Sequence, residues 1–509
     1  MKINKKVIFM FVLMFIVVSV SAMAMGSSLT IMQNEGPMTM DPSNHTATYT
    51  QALLSPMFDT LTEFDRNMKK ILPCLATDWQ ISDDAKEWTF TIREGVTFHD
   101  GTKLDANAVK KSFDRVMDPN NGLATRSRLT NIIESIEVVD EYTVIFHLID
   151  SYPAFLNTTS YEYTSIISPI AIDKGSEYLA RNAVGTGPYT FVEWVSGEKV
   201  VMKKNANYWG EVPGVDELVW KWTAELSVLV MAVQTGEADI IFPAPPAYAK
   251  TLGASSDINF TQAPGNRCFW IALNTLQKEL QDVRVRQALN YAIDREALIN
   301  SSVLFGCGMI ANSPVGPNLY GYDPDCPAYL YDLEKAKALL AEAGYKDGFE
   351  LPIASQEPDA SIVEILKSMW SKIGVDVQIH QMESGVWQGE VFSAPENNKG
   401  FSVIASWSSC DASGYLDNLF HTKKFAPAGA NLGFYSNEKV DQLLDKAART
   451  VDNDEREKLY FQAQRIIQEE AAHVSLFYAN NLLAMNKRVD NVYVRVDGQL
   501  CLQNPKIKD

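Results

Sequence analysis

Two charged side chains stand where an ordered backbone could aim them at a small solute. Asp411 lies in a loop of small residues, Cys410-Asp411-Ala412-Ser413-Gly414, four positions beyond Trp407 and just past the apolar run Ser402-Val403-Ile404-Ala405. Arg267 immediately precedes Cys268 and a second apolar run, Phe269 to Leu273. A carboxylate at the end of a central strand beside an aromatic wall suits an ammonium group, and a guanidinium likewise suits a carboxylate. A Cys268–Cys410 bridge would hold their Cα atoms about 5.5 Å apart and bring Arg267 and Asp411 close, so the two either meet a ligand or pair with each other. Trp270, Trp387 and Trp407 offer flat apolar walls to a ligand, with core packing as the alternative role for each. Asn34 opens a polar loop, Asn34 to Pro42, fed by the strand Leu29-Thr30-Ile31-Met32, a placement that commonly lines a site.

Reaction chemistry finds no such foothold. The sequence has no G-x-S-x-G elbow, no phosphate-binding G-x-x-x-x-G-K-[ST] loop, no G-x-G-x-x-G after a strand and no H-E-x-x-H. Gly185-Thr186-Gly187 lacks a third glycine and runs into Pro188, whose missing N–H cannot cradle phosphate; it reads as a structural turn. The six histidines show no metal-ligand spacing, and His380 with His421 is the pair the fold would have to assemble. Carboxylate pairs such as Asp83-Asp84 and Glu469-Glu470 read as solvated faces. Neither an enzyme nor a resident cofactor or metal is expected.

The elements that must position these residues follow from periodicity. Trp88-Thr89-Phe90-Thr91-Ile92 alternates as a strand, Asp100-Gly101 turns, and Asp105 caps a helix carrying Val109, Phe113 and Val116. With a strand pair over 138–148, this predicts a separate α+β unit over residues 59–184. Tyr189 to Val192 and Lys199 to Lys203 alternate in period two, and a helix from Leu226 leads through Gly236 to a strand at Ala238–Phe242. Beyond residue 267 helices and strands alternate, the mark of an α/β unit. The late strand Leu482 to Met485 follows that unit and is expected to return to the first one.

Length and composition bound the rest. With 509 residues, 46% hydrophobic and 21% charged, the chain has the proportions of a globular protein of several domains. Its formal charge of −18 repels phosphate backbones, so nucleic acid is not an expected partner. Lys2, Lys5 and Lys6 precede an apolar run from Val7 to Val18 and a small-x-small site at Ala22-Met23-Ala24, the pattern of a cleaved export signal over residues 1–24. Its removal takes away three lysines and no acid and moves the charge from −18 to −21. The run is shorter than the roughly 20 residues of a membrane span. Six cysteines follow the leader, an even number in an exported chain, and disulfides are expected, with Cys307–Cys326 as the local pair and Cys268–Cys410 as the long-range one.

Several segments together resemble the extracellular solute-binding proteins, family 5, of peptide, dipeptide and nickel ABC importers. The most specific runs from Leu75-Ala76-Thr77-Asp78-Trp79 through Trp88 to Gly101 and on to Ala106-Asn107-Ala108-Val109; others are Gly185 to Tyr189, Asn205 to Trp209, Gly236 to Ile240, Val283 to Asp294 and Val440 to Leu444. The resemblance covers nearly the whole mature chain. It implies an α/β, two-lobed periplasmic-binding-protein fold with an additional α+β domain on the first lobe. Residues 25–58, 185–266 and 483–509 would then form lobe I, 59–184 the additional domain and 267–482 lobe II. It also implies a monomer that closes like a hinged trap on a short peptide or peptide-like solute and delivers it to an ABC permease in the membrane, from the periplasm or the cell surface. Trp407 and Asp411 match the family's Trp and Asp that hold a peptide amino terminus. Ala360-Ser361 stands where dipeptide-type members carry an Arg, a departure from an ordinary dipeptide ligand. A nickel or other metal chelate, or a sugar, is the alternative on the same fold, and a sensor role would use the same pocket.

Overall fold

Apolar residues alternating with polar ones build the first sheet. In the computed structural model, which describes residues 27–508, the strand Ser28–Gln33 buries Leu29 and Ile31 completely and runs parallel to Glu217–Trp222 on one side and Ile240–Ile241 on the other. The sheet has seven strands, in the order 258–263, 481–486, 240–241, 28–33, 217–222, 199–204, 189–195. The helix Leu226–Thr235 covers the crossover between two of them, burying Leu229, Val230, Ala232 and Val233, and it ends at Gly236 with φ +80°, a conformation glycine adopts without a Cβ clash. The late strand Asn481–Asn486 pairs with both Ile258–Ala263 and Ile240–Ile241, so the chain returns to this sheet after building the second one.

The second sheet has six strands, in the order 308–310, 473–479, 268–272, 402–407, 349–356, 375–382. Helices pack on both faces, and the period of two decides which core each side chain joins. Along Cys268–Ala272, residues Cys268, Trp270 and Ala272 enter one core together with Val403 and Ala405, while Ile271 and Ile404 enter the other. The helix Ala360–Trp370 crosses between the parallel strands Phe349–Gln356 and Val375–Met382, burying Ile362, Val363, Leu366, Met369 and Trp370.

A four-stranded antiparallel sheet, in the order 76–81, 87–92, 143–148, 133–140, forms a third unit. Asp105 caps its helix Ala106–Met117 by accepting from the Ala108 amide, and Phe113 meets Phe146 with ring centroids 4.9 Å apart. The Gly185-Thr186-Gly187 turn seals this unit against the first sheet. A Cβ at Gly185 would lie 2.3 Å from the Met57 carbonyl oxygen, so only glycine permits the approach. The Thr186 hydroxyl donates to the buried carboxylate of Asp59.

Two chain crossings join the large sheets and run side by side. The Ala479 amide donates to the Arg267 carbonyl (2.9 Å) and the Asn266 amide to the Val496 carbonyl (3.0 Å). The expected disulfides are absent: all six cysteines are free thiols. Five are buried and Cys326 is half-buried. Cys268 lies in the core of the second sheet, Cys410 packs with Phe64 and Met68, and Cys307 joins the core of the first sheet. Burial holds the Cys410 thiol well above its ordinary pKa, aided by the neighbouring Asp411 charge, so it stays protonated. The proposed leader, residues 1–24, lies outside the described residues.

Candidate functional site

An opening lies where the three units meet. A cleft of about 680 Å³ is walled by the 406–414 loop and Arg267 of the second-sheet lobe, by Arg128, Tyr152, Asn157 and Tyr161 of the four-stranded unit, and by Asp497 to Gln499 near the chain end. It shares Thr48, Asn266, Arg267, Ser408, Asp497 and Gly498 with an adjoining basin of about 500 Å³, which Asn34 lines. The two basins therefore adjoin between the lobes.

Asp411 is placed by a helix. It is the N-cap of Ala412–Phe420, with Oδ1 accepting from the Gly414 amide (3.2 Å) and the Ser413 hydroxyl (2.6 Å). Its other oxygen, Oδ2, accepts from Asn157 Nδ2 at 2.7 Å, a bond that crosses from the second-sheet lobe to the four-stranded unit. Only 6% of Asp411 is exposed, so its charge is held in a low-dielectric wall where a cation is attracted strongly. The loop before it is fixed by Asn266, which donates to the Ser409 carbonyl, and by the buried Tyr415 hydroxyl, which donates to the carbonyls of Asn266 and Trp407.

Arg267 does not pair with Asp411. Its Nε donates to the Ser406 hydroxyl (3.0 Å) and its guanidinium lies 5.1 Å from the Phe269 ring centroid. The surrounding walls desolvate it and lower its pKa, with the Asp359 charge acting the other way; an arginine stays protonated through this. Trp407, at the end of the Ser402–Trp407 strand, is 38% exposed and stands in the cleft wall. Trp270 and Trp387 are elsewhere: at 4% and 6% exposure both are part of the lobe core beneath the sheet and do not line the cleft. The strand's own alternation explains Trp270, which shares a face with Cys268 and Ala272.

Sequence reasoning missed the opposite wall. Asn157 sits on the six-residue helix Phe155–Ser160 and Arg128 on the five-residue helix Arg126–Thr130. It also missed a clamp in the cleft wall, where the buried Arg495 joins Glu162 (2.9 Å) to Asp497 (2.6 Å) and Gln51 donates to Glu162. Burial pushes the Glu162 carboxyl upward, and the Arg495 charge opposes that shift. His380 packs on Phe401 and His421 lies buried between Asp441 and Asp445, both outside the cleft. Among the described residues no group of three or more His, Cys, Asp and Glu side chains is arranged to hold a metal ion.

Two sheet-based lobes, joined by paired crossings and facing each other across a polar cleft, define a hinged solute-binding protein. Residues 70–427 match the family described as "Bacterial extracellular solute-binding proteins, family 5 Middle". The chain is 32% identical over 477 residues, 92% of each chain, to the glutathione-binding protein GsiB of Salmonella typhimurium. It superimposes on HbpA2 from Haemophilus parasuis with a TM-score of 0.86 at 29% identity, covering 94% of this chain and 100% of that one. The periplasmic binding protein DppA from Helicobacter pylori, solved with the peptide STSA, follows at TM-score 0.77 and 29% identity, covering 94% and 98%. The chain belongs to the family 5 extracellular solute-binding proteins.

Proposed function

We propose that this protein is the substrate-binding component of an ABC importer for a short peptide or peptide-like solute. The ligand enters the cleft, the lobes close, and the complex delivers it to the membrane permease. The observation that carries this reading is the cleft itself, where a buried carboxylate and an accessible guanidinium face a space of peptide size. Asp411 grips the ligand ammonium, Arg267 receives a carboxylate, Trp407 covers an apolar side chain and Asn34 completes the adjoining basin. Closure replaces water around the ligand's amides with fixed polar groups of both walls. The protein works as a monomer after export, in the periplasm or at the cell surface; among the described residues no helix is long and apolar enough to cross a membrane.

The relatives' ligands, glutathione and a tetrapeptide, make glutathione a first compound to test. The test is to purify the mature protein from a rich medium, denature it and identify what it releases by mass spectrometry. Short peptides with free amino termini are expected. A single sugar or a metal chelate would overturn the peptide reading.

A further inference from the structure

The chain carries a formal charge of −18, yet the cleft also holds cationic groups without an acidic partner. Glu162 and Asp497 share the single guanidinium of Arg495. Asp411 is bonded to Asn157, Ser413 and the Gly414 amide and is assigned above to an ammonium group. Against these stand two guanidinium groups with no acid within ion-pair distance among the described residues, Arg267 on one wall and Arg128 on the other.

Both are held in the same manner. Arg267 lies over the Phe269 ring at 5.1 Å and Arg128 over the Tyr163 ring at 5.1 Å, and Tyr163 is itself stacked on Tyr161 with centroids 5.5 Å apart. An aromatic face supports a guanidinium without consuming its N–H donors, so the planar fork remains free for a carboxylate. Arg267 spends one donor on Ser406. The Arg128 guanidinium makes no ion pair or side-chain hydrogen bond among the described residues.

We propose that Arg128 receives a second carboxylate of the ligand, so that the protein selects peptides with two or more carboxylates over neutral peptides of the same size. The inference rests on the peptide reading and adds the ligand's charge. One ammonium at Asp411 and two carboxylates at Arg267 and Arg128 would give each of these three groups an opposite charge. A neutral peptide leaves Arg128 desolvated by closure and unpaired, which is the main cost that discriminates against it.

The test is calorimetric titration of wild-type protein and Arg128→Gln with two matched pairs: Glu-Ala-Gly against Gln-Ala-Gly, and glutathione against its glycinamide. In wild type the dicarboxylate member of the pair that binds is expected to be favoured by about 10- to 100-fold, the worth of a charge-assisted bond, and in Arg128→Gln that ratio falls to within about threefold. Equal binding of both members by wild type, or equal weakening of both in the variant, would overturn the role of Arg128 and leave the peptide reading standing. Failure of every peptide to bind would remove the peptide reading and this inference together.

Discussion

The two walls of the cleft are built differently. The second-sheet wall is the end of a sheet: Arg267 precedes the strand Cys268–Ala272, Trp407 closes the strand Ser402–Trp407, and Asp411 caps the helix that follows. The opposing wall is carried by two short helices, Arg126–Thr130 and Phe155–Ser160, and by the segment at Asp497. A sheet end fixes its side chains through the backbone ladder on either side. Short helices depend on distant contacts, such as the Arg495 clamp, which ties Glu162 to a residue 333 positions away. In the proposed reading the fixed wall presents the charge that holds one end of the ligand, and the assembled wall presents groups that complete its recognition.

Core and cleft within the second-sheet lobe separate most clearly at Trp270. Trp270→Ala removes a buried side chain beneath the sheet and is expected to cost about 3–5 kcal/mol of stability, read by denaturant unfolding, with peptide affinity of the folded protein little changed. Lost affinity with unchanged stability would return Trp270 to the cleft. The same core holds His473, buried with its Nε2 beside the Ser475 hydroxyl and pushed down to about 3 by burial and the Arg295 charge. Below pH 6.5 the unfolded chain protonates this group and the folded one does not, so its contribution is full above pH 6.5 and is lost as pH falls. The margin of wild type over His473→Gln is expected to shrink by about 3 kcal/mol between pH 7 and pH 4. The comparison with the variant is needed because the buried acids Asp59 and Glu162, raised by burial, act in the opposite sense. A margin independent of pH would contradict a neutral buried imidazole.

In the cleft, Asp411→Asn keeps a capping oxygen and removes the charge. Affinity for peptides with a free amino terminus is expected to drop by about 1–3 kcal/mol while stability changes by less than about 0.5 kcal/mol. Asn157→Ala removes one bond from the assembled wall to the same carboxylate, and a smaller loss of about 1 kcal/mol in affinity is expected. An effect as large as that of Asp411→Asn would mean that the short-helix wall holds the ligand as firmly as the sheet end.

The same contrast explains what could be read from the chain. The strand patterns at Phe269 to Leu273 and Ser402 to Ala405, the Asp105 cap and the small-residue loop around Asp411 are local signals, and all are present as elements or caps in the structure. Asn157 and Arg128 left no signal, because helices of five or six residues are too short for a 3.6-residue period to register. The Arg495 clamp is legible only once 162 and 495 are brought together by the fold. For Trp270 the core alternative follows from the strand itself: period two puts it on the face of Cys268 and Ala272. The cysteines misled for another reason, since an even count in an exported chain suggests bridges, whereas each thiol here is accommodated by its own packing.

Titration of wild type and Asp411→Asn with one bound short peptide and its N-acetylated counterpart tests most directly whether Asp411 holds the ligand's ammonium. Acetylation is expected to weaken wild-type binding by about 10- to 100-fold and to leave the variant's already weakened affinity within about threefold. Equal affinity of wild type for the free and acetylated peptides would contradict the assignment and move the ligand's amino terminus away from the sheet-end wall.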